Sequence, residues 1–367
     1  MTIRVLHVIA RMNVGGTATY LANLIRGLEK AGVENLLVMG NVPKGESEDS
    51  VVESLRHFRV ETLSRELNLR LDMKARASIE EQIRIFKPDI IHTHTFKAGF
   101  LVRLKSRKIP VIHSFHGHHL YDPEFGPLKR SILNLIERVL APRASAIVTI
   151  GNRVKDELLE VHIGKREQYI SIAPGIEPLE IRSDKNIKEQ LGLSTNKILV
   201  VWLGRFTQVK RPDLVIEIAR RVPDLHFVMA GGGEMFDEVK KLAPNNVSLV
   251  GFQDKNDMWS IADIALCTSD SEGMPLSLIE AQMAGVPVVS TDVGSVSEIV
   301  EDGVTGRLTS SDSAALADAV IEVKESIQKN DAMGRAAQLR ASREFSTEVM
   351  TRAHAELYRA ILGKVKR

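Results

Sequence analysis

Two carboxylates, Glu272 and Glu280, stand eight positions apart in EGMPLSLIEAQMAGVPVVS, with Pro275 between them. On one continuous helix, at about 100° per residue, they would point roughly 80° apart and make poor partners. Pro275 lacks an N–H and suits the first position of a helix. That predicts a loop carrying Glu272 that feeds a helix from about Pro275 to Ala284. Gly285 then ends the helix, and VPVVS reads as a buried strand. One acid is thus placed just before a helix N-terminus, where free N–H groups and the dipole attract anions, and the other lies along the helix. A ligand carrying both phosphate and hydroxyl groups suits this pair.

A second constellation is cationic. VVWLGRFTQVKRPD runs from a buried strand into a loop, and Pro212 suits the start of the next helix. Lys210 and Arg211 then crowd a helix N-terminus, where each cation is unfavourable by about 0.3–1 kcal/mol unless an anion joins it. Arg205, at the strand's end, adds a third positive charge. A bound diphosphate would resolve the conflict, with forked contacts from Arg and a point charge from Lys. NVGGTATY repeats the arrangement after the first strand: Gly15 and Gly16 form a tight turn that lets a ligand approach the backbone, and Thr17 can cap the next helix. MAGGGEMFDEV lacks the full GxGxxG spacing with its acidic follower, and reads as a turn.

The histidines crowd into IIHTHT (His92, His94) and VIHSFHGHH (His113, His116, His118, His119). Strand alternation puts His92 and His94 on one face, where a metal site is conceivable. Neither an Asp-x-Asp for a hard cation nor an HExxH for zinc occurs, and no metal is expected. His116, followed by Gly117 at a strand end, is read as a hydrogen-bonding group for a polar ligand, and the other histidines as structural. Cys267, the single cysteine, lies in the strand-like IADIALCTS and reads as a small buried side chain.

These residues need strand ends to hold them, and the chain supplies many. Apolar runs alternate with helical stretches: IRVLHVIA, ENLLVMG, PDIIHTH, PVIHSFH and ASAIVTI, then KILVVWLG, LHFVMA, NVSLVGF, DIALCTS and VPVVS. Such βαβ alternation predicts parallel sheets covered on both faces, with ligands bound beyond the carboxyl ends of the strands. The rhythm breaks near ISIAPGIEPLEIRSDKNIKEQLG, and 367 residues suit two domains facing a cleft. With 44% apolar and 26% charged residues the composition is that of a globular protein, not of a disordered one. No apolar run approaches the ~18 residues needed to cross a bilayer. With one cysteine, and no signal peptide read in MTIRVLHVIARMN, the cytoplasm is the expected compartment. Residues 1–173 carry a net charge of +7 and residues 174–367 one of −5. The basic KAGFLVRLKSRK (Lys97, Arg103, Lys105, Arg107, Lys108) suits anionic lipid head groups or a phosphorylated acceptor, or else forms a solvated helix face.

Taken together, NVGGTATYLANL, KPDIIHTHTFKAG, IHSFHGHH, LGRFTQVKRPDLVIEIA, NVSLVGF, SDSEGMPLSLIEAQMAGVPVVSTDVGSVSEIVEDGVTGRL and FSTEVMTRAHAELY resemble family 4 of the retaining, nucleotide-sugar-dependent glycosyltransferases. The resemblance spans nearly the whole chain, and its E-x7-E element is the most specific part. It implies the GT-B fold: α/β, with two Rossmann-like parallel-sheet domains facing an interdomain cleft. It divides the chain into an acceptor-binding domain over 1–173, with a C-terminal helix 350–367 packing back on it, and a donor-binding domain over 174–349.

By match, the resemblance implies that Glu272 faces the donor sugar and Glu280 holds ribose hydroxyls. Arg205 and Lys210 bind the diphosphate, Gly15 and Gly16 lie against phosphates and acceptor, and His116 contacts the transferred sugar. Phe252, Gly273, Met274, Pro275 and Leu276 complete the implied donor site. The implied activity is metal-independent, retaining transfer of a hexose or N-acetylhexosamine to a hydroxyl of a lipid-linked, polysaccharide or lipopolysaccharide precursor. The donor is a substrate rather than a cofactor, with UDP favoured over GDP. The implied partners are donor, glycan or lipid-linked acceptor and an anionic membrane surface on the cytoplasmic side, without nucleic acid. A sugar-nucleotide epimerase of the same architecture and a non-catalytic nucleotide-sugar-binding subunit of a synthase remain alternatives. Two departures stand out. Many members read E-G-F-G where this chain has EGMP, so Pro275 removes a backbone N–H. The common linker Asn-Gly is APGIE here, with Pro174 before Gly175 stiffening the hinge.

Overall fold

A computed structural model describes residues 2–43, 45–64, 66, 68–117, 126–182, 184–193 and 197–365. The chain forms two compact units, Met1–Gly175 with Thr347–Arg367, and Ile176–Ser346.

The first unit runs β1 (Arg4–Ile9), α1 (Gly16–Lys30), β2 (Glu34–Met39), β3 (His57–Arg59), α2 (Leu69–Phe86), β4 (Ile90–His94), α3 (Thr95–Arg103), β5 (Val111–Phe115), α4 (Pro127–Leu140), β6 (Ala146–Thr149), α5 (Asn152–Glu160) and β7 (Tyr169–Ser171). The second runs α6 (Asp184–Gln190), β8 (Leu199–Leu203), α7 (Pro212–Arg221), β9 (His226–Ala230), α8 (Phe236–Leu242), β10 (Val247–Gly251), α9 (Lys255–Ile261), β11 (Ile264–Cys267), α10 (Leu276–Met283), β12 (Val288–Thr291), α11 (Val296–Ile299), β13 (Gly306–Thr309), α12 (Ser313–Lys329) and α13 (Ala332–Glu344). The chain then returns to the first unit as α14 (Thr347–Val365).

Both sheets are parallel throughout, ordered β3-β2-β1-β4-β5-β6-β7 and β10-β9-β8-β11-β12-β13. Parallel strands are covered on both faces, which is why their sequences read as near-continuous Val, Ile and Leu. In the first unit Leu21, Leu24, Ile25 and Leu28 of α1 pack on one face of the sheet with Met350, Leu357 and Tyr358 of α14. The two helices touch where Gly27 leaves no side chain: a Cβ there would lie 2.1 Å from Thr351 Oγ1. Ile79, Ile83 and Phe86 of α2 and Leu101 and Val102 of α3 cover the other face. The second unit closes its core with Leu214, Val215 and Ile218 of α7 and Leu316, Val320 and Val323 of α12.

All ten strand-like runs form strands. The three that the apolar pattern misses, β3, β7 and β13, are short and lie at sheet edges. An edge strand packs against one neighbour only and needs less apolar sequence. Three local expectations are corrected. α10 begins at Leu276, with Pro275 outside it as an extended N-cap (φ −70°, ψ 119°). Gly15, not Thr17, occupies the N-cap of α1, and no side chain caps that helix. Three of the five cations in the basic run 97–108 are taken up within the protein, whereas Lys105 and Lys108 stay exposed. Lys97 is buried 2.5 Å from Asp72, Arg103 is buried against Glu137, and Arg107 pairs with Glu80. Charges with partners that close are not available to a lipid surface. His118 and His119 lie outside the described residues.

Candidate functional site

In each sheet the strand order reverses beside its first strand, between β1 and β4 and between β8 and β11, where adjacent βα loops diverge and leave a crevice. Gly15 and Gly16 follow β1, Arg205 and Lys210 follow β8, and Glu272 to Pro275 follow β11, whereas His116 follows β5, Phe252 follows β10, and Leu276 and Glu280 lie within α10.

In the second unit, two loops are tied together before any ligand arrives. Thr268 Oγ1 lies 2.9 and 3.0 Å from the carbonyl oxygens of Lys210 and Arg211, and accepts from Trp202 Nε1 at 3.1 Å. The Asp270 N–H donates to the Val209 carbonyl at 2.9 Å. This places Lys210 Nζ 2.5 Å from Glu272 Oε1, which also accepts from Ser269 Oγ at 2.6 Å. The Glu272 side chain is 8% exposed. Every contact converges on Oε1, so Oε2 has no partner among the described residues. Trp202, Gly204, Lys210, Glu272, Ser277 and Leu278 line a pocket that reaches the first turn of α10. No side chain among the described residues caps that helix, so its leading N–H groups are left for other acceptors.

The cations separate by partner. Arg211 caps α7 in a left-handed conformation (φ 50°) and binds both Asp213 and Asp270, which raise its pKa further. The charge conflict read at this helix start is therefore resolved for Arg211 within the protein. Arg205 is exposed and has no partner among the described residues. Glu280 is buried along α10 and binds Lys255 Nζ at 2.6 Å. The Phe252 ring is 77% exposed and lies over Gly232, where a Cβ would come within 2.6 Å of it. The side chain of Met274 is buried in the core, so only its backbone can meet a ligand. Cys267 is buried, and burial pushes its thiol pKa up.

Sequence reasoning missed Lys255, Ser269 and Gly294. Gly294 (φ 53°) presses against the loop, where a Cβ would sit 1.7 Å from the Glu272 carbonyl oxygen, and the neighbouring Ser295 N–H bonds the Gly273 carbonyl at 2.8 Å. The signal for Gly294 was its place in TDVGSVSEI after a strand. Lys255 and Ser269 gave none.

In the first unit Gly15 and Gly16 open α1, exposed and uncapped. Behind them lies a histidine chain. Asn35 Nδ2 donates to the Val33 carbonyl at 3.0 Å, which turns Asn35 Oδ1 toward His7 Nε2 at 3.2 Å. His7 must donate there, so its Nδ1 accepts from His94 Nε2 at 3.1 Å. His94 Nδ1 in turn accepts from His116 Nε2 at 3.0 Å. Burial holds the chain neutral: it lowers His7 and His116 to about 3 and His94 well below its ordinary value. His116 is left half-buried with Nδ1 an acceptor that has no partner among the described residues, its ring edge-on to Tyr20 at 4.6 Å. Thr95, β-branched yet at φ 68°, follows His94 directly, a strained junction of the kind that functional sites retain. Ring nitrogens of His7, His92 and His94 lie within 4.8 Å of one another, a spacing a metal could use. His92, however, already bonds Tyr358 and Ser114, each at 2.7 Å, and His7 uses both its nitrogens.

Known proteins share this layout. The family model "Glycosyltransferase Family 4" matches residues 14–178, and "Glycosyl transferases group 1" matches residues 183–340, so the two together span most of the chain. The chain belongs to the family 4 type of GT-B glycosyltransferases. The glycosyltransferase is 27% identical over 325 residues to the UDP-Gal:α-D-GlcNAc-diphosphoundecaprenol α-1,3-galactosyltransferase of Escherichia coli, covering 78% of this chain and 82% of that one. It is 25% identical to the α-maltose-1-phosphate synthase of Mycolicibacterium smegmatis, over 74% and 79% of the two chains. Its fold matches sucrose-phosphate synthase from Thermosynechococcus elongatus with a TM-score of 0.86 at 18% identity, over 99% of this chain and 100% of the other. It matches the Anabaena protein HepE, solved with UDP and glucose, with a TM-score of 0.80 at 20% identity, over 98% and 100%. Among the described residues no helix of the glycosyltransferase is long and apolar enough to cross a membrane.

Proposed function

We propose that this glycosyltransferase moves a hexose or N-acetylhexosamine from a nucleoside-diphosphate donor, with UDP favoured over GDP, to a hydroxyl of a lipid-linked or polysaccharide precursor, with retention and without a metal. The observation that carries the reading is the pocket at the uncapped start of α10, where Lys210 is already clamped to Glu272 and Arg205 stands open nearby in sequence. The names of the relatives support the donor and acceptor classes: the Escherichia coli protein uses UDP-galactose and a diphosphoundecaprenol acceptor, and HepE was solved with UDP.

In this reading Arg205, Lys210 and the α10 N–H groups meet the diphosphate and stabilise its charge as the sugar leaves. Glu272, held by Lys210 and Ser269 through one oxygen, offers the other to the sugar. Glu280 takes the ribose hydroxyls, exchanging part of its contact with Lys255. His116 Nδ1 accepts from a sugar hydroxyl. No enzymic nucleophile is needed if the departing phosphate accepts the acceptor's proton on the same face. A cytoplasmic setting suits a protein whose one thiol is buried and unpaired.

Calorimetry with UDP alone, and turnover with the complete donor, test the assignment. Arg205→Ala and Lys210→Ala each weaken UDP binding and lower turnover by about 100- to 1000-fold. Glu280→Gln weakens UDP by about tenfold or more, since a bond to a charged group is worth about 1.5–3 kcal/mol. Glu272→Gln leaves UDP affinity nearly unchanged and lowers turnover. Equal losses of UDP affinity in the two glutamate variants overturn the division of roles, and chelator-sensitive turnover overturns metal independence.

A further inference from the structure

Among the described residues Lys255 is the only partner of the Glu280 carboxylate. Its Nζ lies 2.6 Å from Glu280 Oε1, and the two side chains are 39% and 7% exposed, so the ammonium is the more open of the two groups. Glu280 Oε2 and the other two N–H donors of Lys255 have no partner among the described residues. Lys255 stands one turn before Trp259 on α9, and Glu280 one turn after Ser277 on α10. Trp259 and Ser277 both line the pocket that holds Lys210 and Glu272. The ion pair therefore continues the faces of α9 and α10 that wall this pocket.

A carboxylate only accepts and an ammonium only donates, whereas a hydroxyl does both. A vicinal diol that bonds both oxygens of Glu280 sets one hydroxyl at Oε1 and the other at Oε2. The hydroxyl at Oε1 comes beside Lys255 Nζ, because that nitrogen is already bonded to the same oxygen. It can give its proton to Glu280 while its oxygen accepts from Lys255. The hydroxyl at Oε2 has the carboxylate alone. We propose that Lys255 contacts the nucleotide and determines its specificity by making the two ribose hydroxyls unequal, so that the site selects a ribonucleotide and depends on one hydroxyl more than on the other. This rests on the proposed function, in which Glu280 takes the ribose. A lysine that served only to neutralise Glu280 would strengthen every nucleotide alike and leave the two hydroxyls equivalent.

Calorimetry with UDP, 2′-deoxy-UDP and 3′-deoxy-UDP tests it. The wild type binds UDP most tightly, and the two analogues differ from each other by about tenfold or more, the difference that one bond to a charged group makes. Lys255→Met weakens UDP and brings the two analogues within about threefold of each other. Lys255→Arg, which keeps charged donors beside Glu280, keeps the gap. Equal affinity for the two analogues in the wild type overturns the inference, whether or not Lys255→Met folds. So does a gap that Lys255→Met leaves intact. In both of these outcomes UDP still binds the wild type and the donor assignment stands. A wild type that does not bind UDP overturns that assignment and this inference with it.

Discussion

Asn35 directs the protons of three histidines while touching only one of them. Its amide is oriented by the Val33 carbonyl, and from there each imidazole can donate in one direction only, ending at His116 with Nδ1 unprotonated. ¹⁵N NMR of histidine-labelled protein near neutral pH is expected to show His116 as the Nε2–H tautomer. His94→Phe, which cuts the chain, is expected to give a mixture of tautomers at His116 and lower turnover even where UDP affinity holds. Observation of the Nδ1–H tautomer in the wild type would contradict the relay. In the proposed function, an Nδ1 that can only accept takes a hydroxyl rather than a phosphate oxygen, so the tautomer would add specificity there.

The loop before α10 is held from behind by a glycine that has no freedom to change. At φ 53° Gly294 occupies the left-handed region, and any side chain there would collide with the Glu272 carbonyl. Gly294→Ala must displace either the loop or its own turn. The expected cost is about 2 kcal/mol or more in urea unfolding, together with weaker UDP binding. A variant equal to the wild type in both would show that the loop yields without affecting the site. The edge strands β3, β7 and β13 are the counterpart in legibility: a strand with one neighbour carries too little apolar pattern to stand out, whereas the inner strands that hold Arg205, Glu272 and His116 are plain in the sequence.

The molecule as a whole concentrates buried imidazoles in its first unit, and this makes its stability depend on pH. Burial lowers His7 and His116 to about 3 and His354 to about 4, and takes His92 and His94 well below their ordinary value. A folded pKa below the unfolded value of about 6.5 means that the unfolded chain binds more protons between the two. Stability is therefore complete above about pH 6.5 and falls as pH drops toward the folded values. Each such histidine contributes up to about 1.4 kcal/mol per pH unit, so together they can exhaust a typical 5–15 kcal/mol within two units or so. Thermal melts are expected to be flat from pH 8 to 7 and to fall steeply between pH 6 and 5. A melting temperature constant down to pH 5 would contradict neutral burial of the cluster.

The sequence by itself determined the fold class and the strand-end positions of Arg205, Lys210, Glu272 and His116, because apolar period and turn residues report what each segment does locally. It also carried the family, through motifs spread from NVGGTATY to SEGMPLSLIEAQMAG. Only the tertiary structure decided partners. Nothing near Lys97, Arg103 or Arg107 in sequence says that Asp72, Glu137 and Glu80 will neutralise them, or that His354 will bond Tyr20 from 334 residues away. Such pairings depend on which strand lies beside which and on the packing of α14 against α1, and a residue's own periodicity does not encode its neighbour across a sheet. For the same reason the exposed Leu128, Ile132, Leu135 and Val139 of α4 could be taken from sequence for a core face. Their outward direction was settled by one buried ion pair, Arg103 with Glu137, that holds the opposite side in.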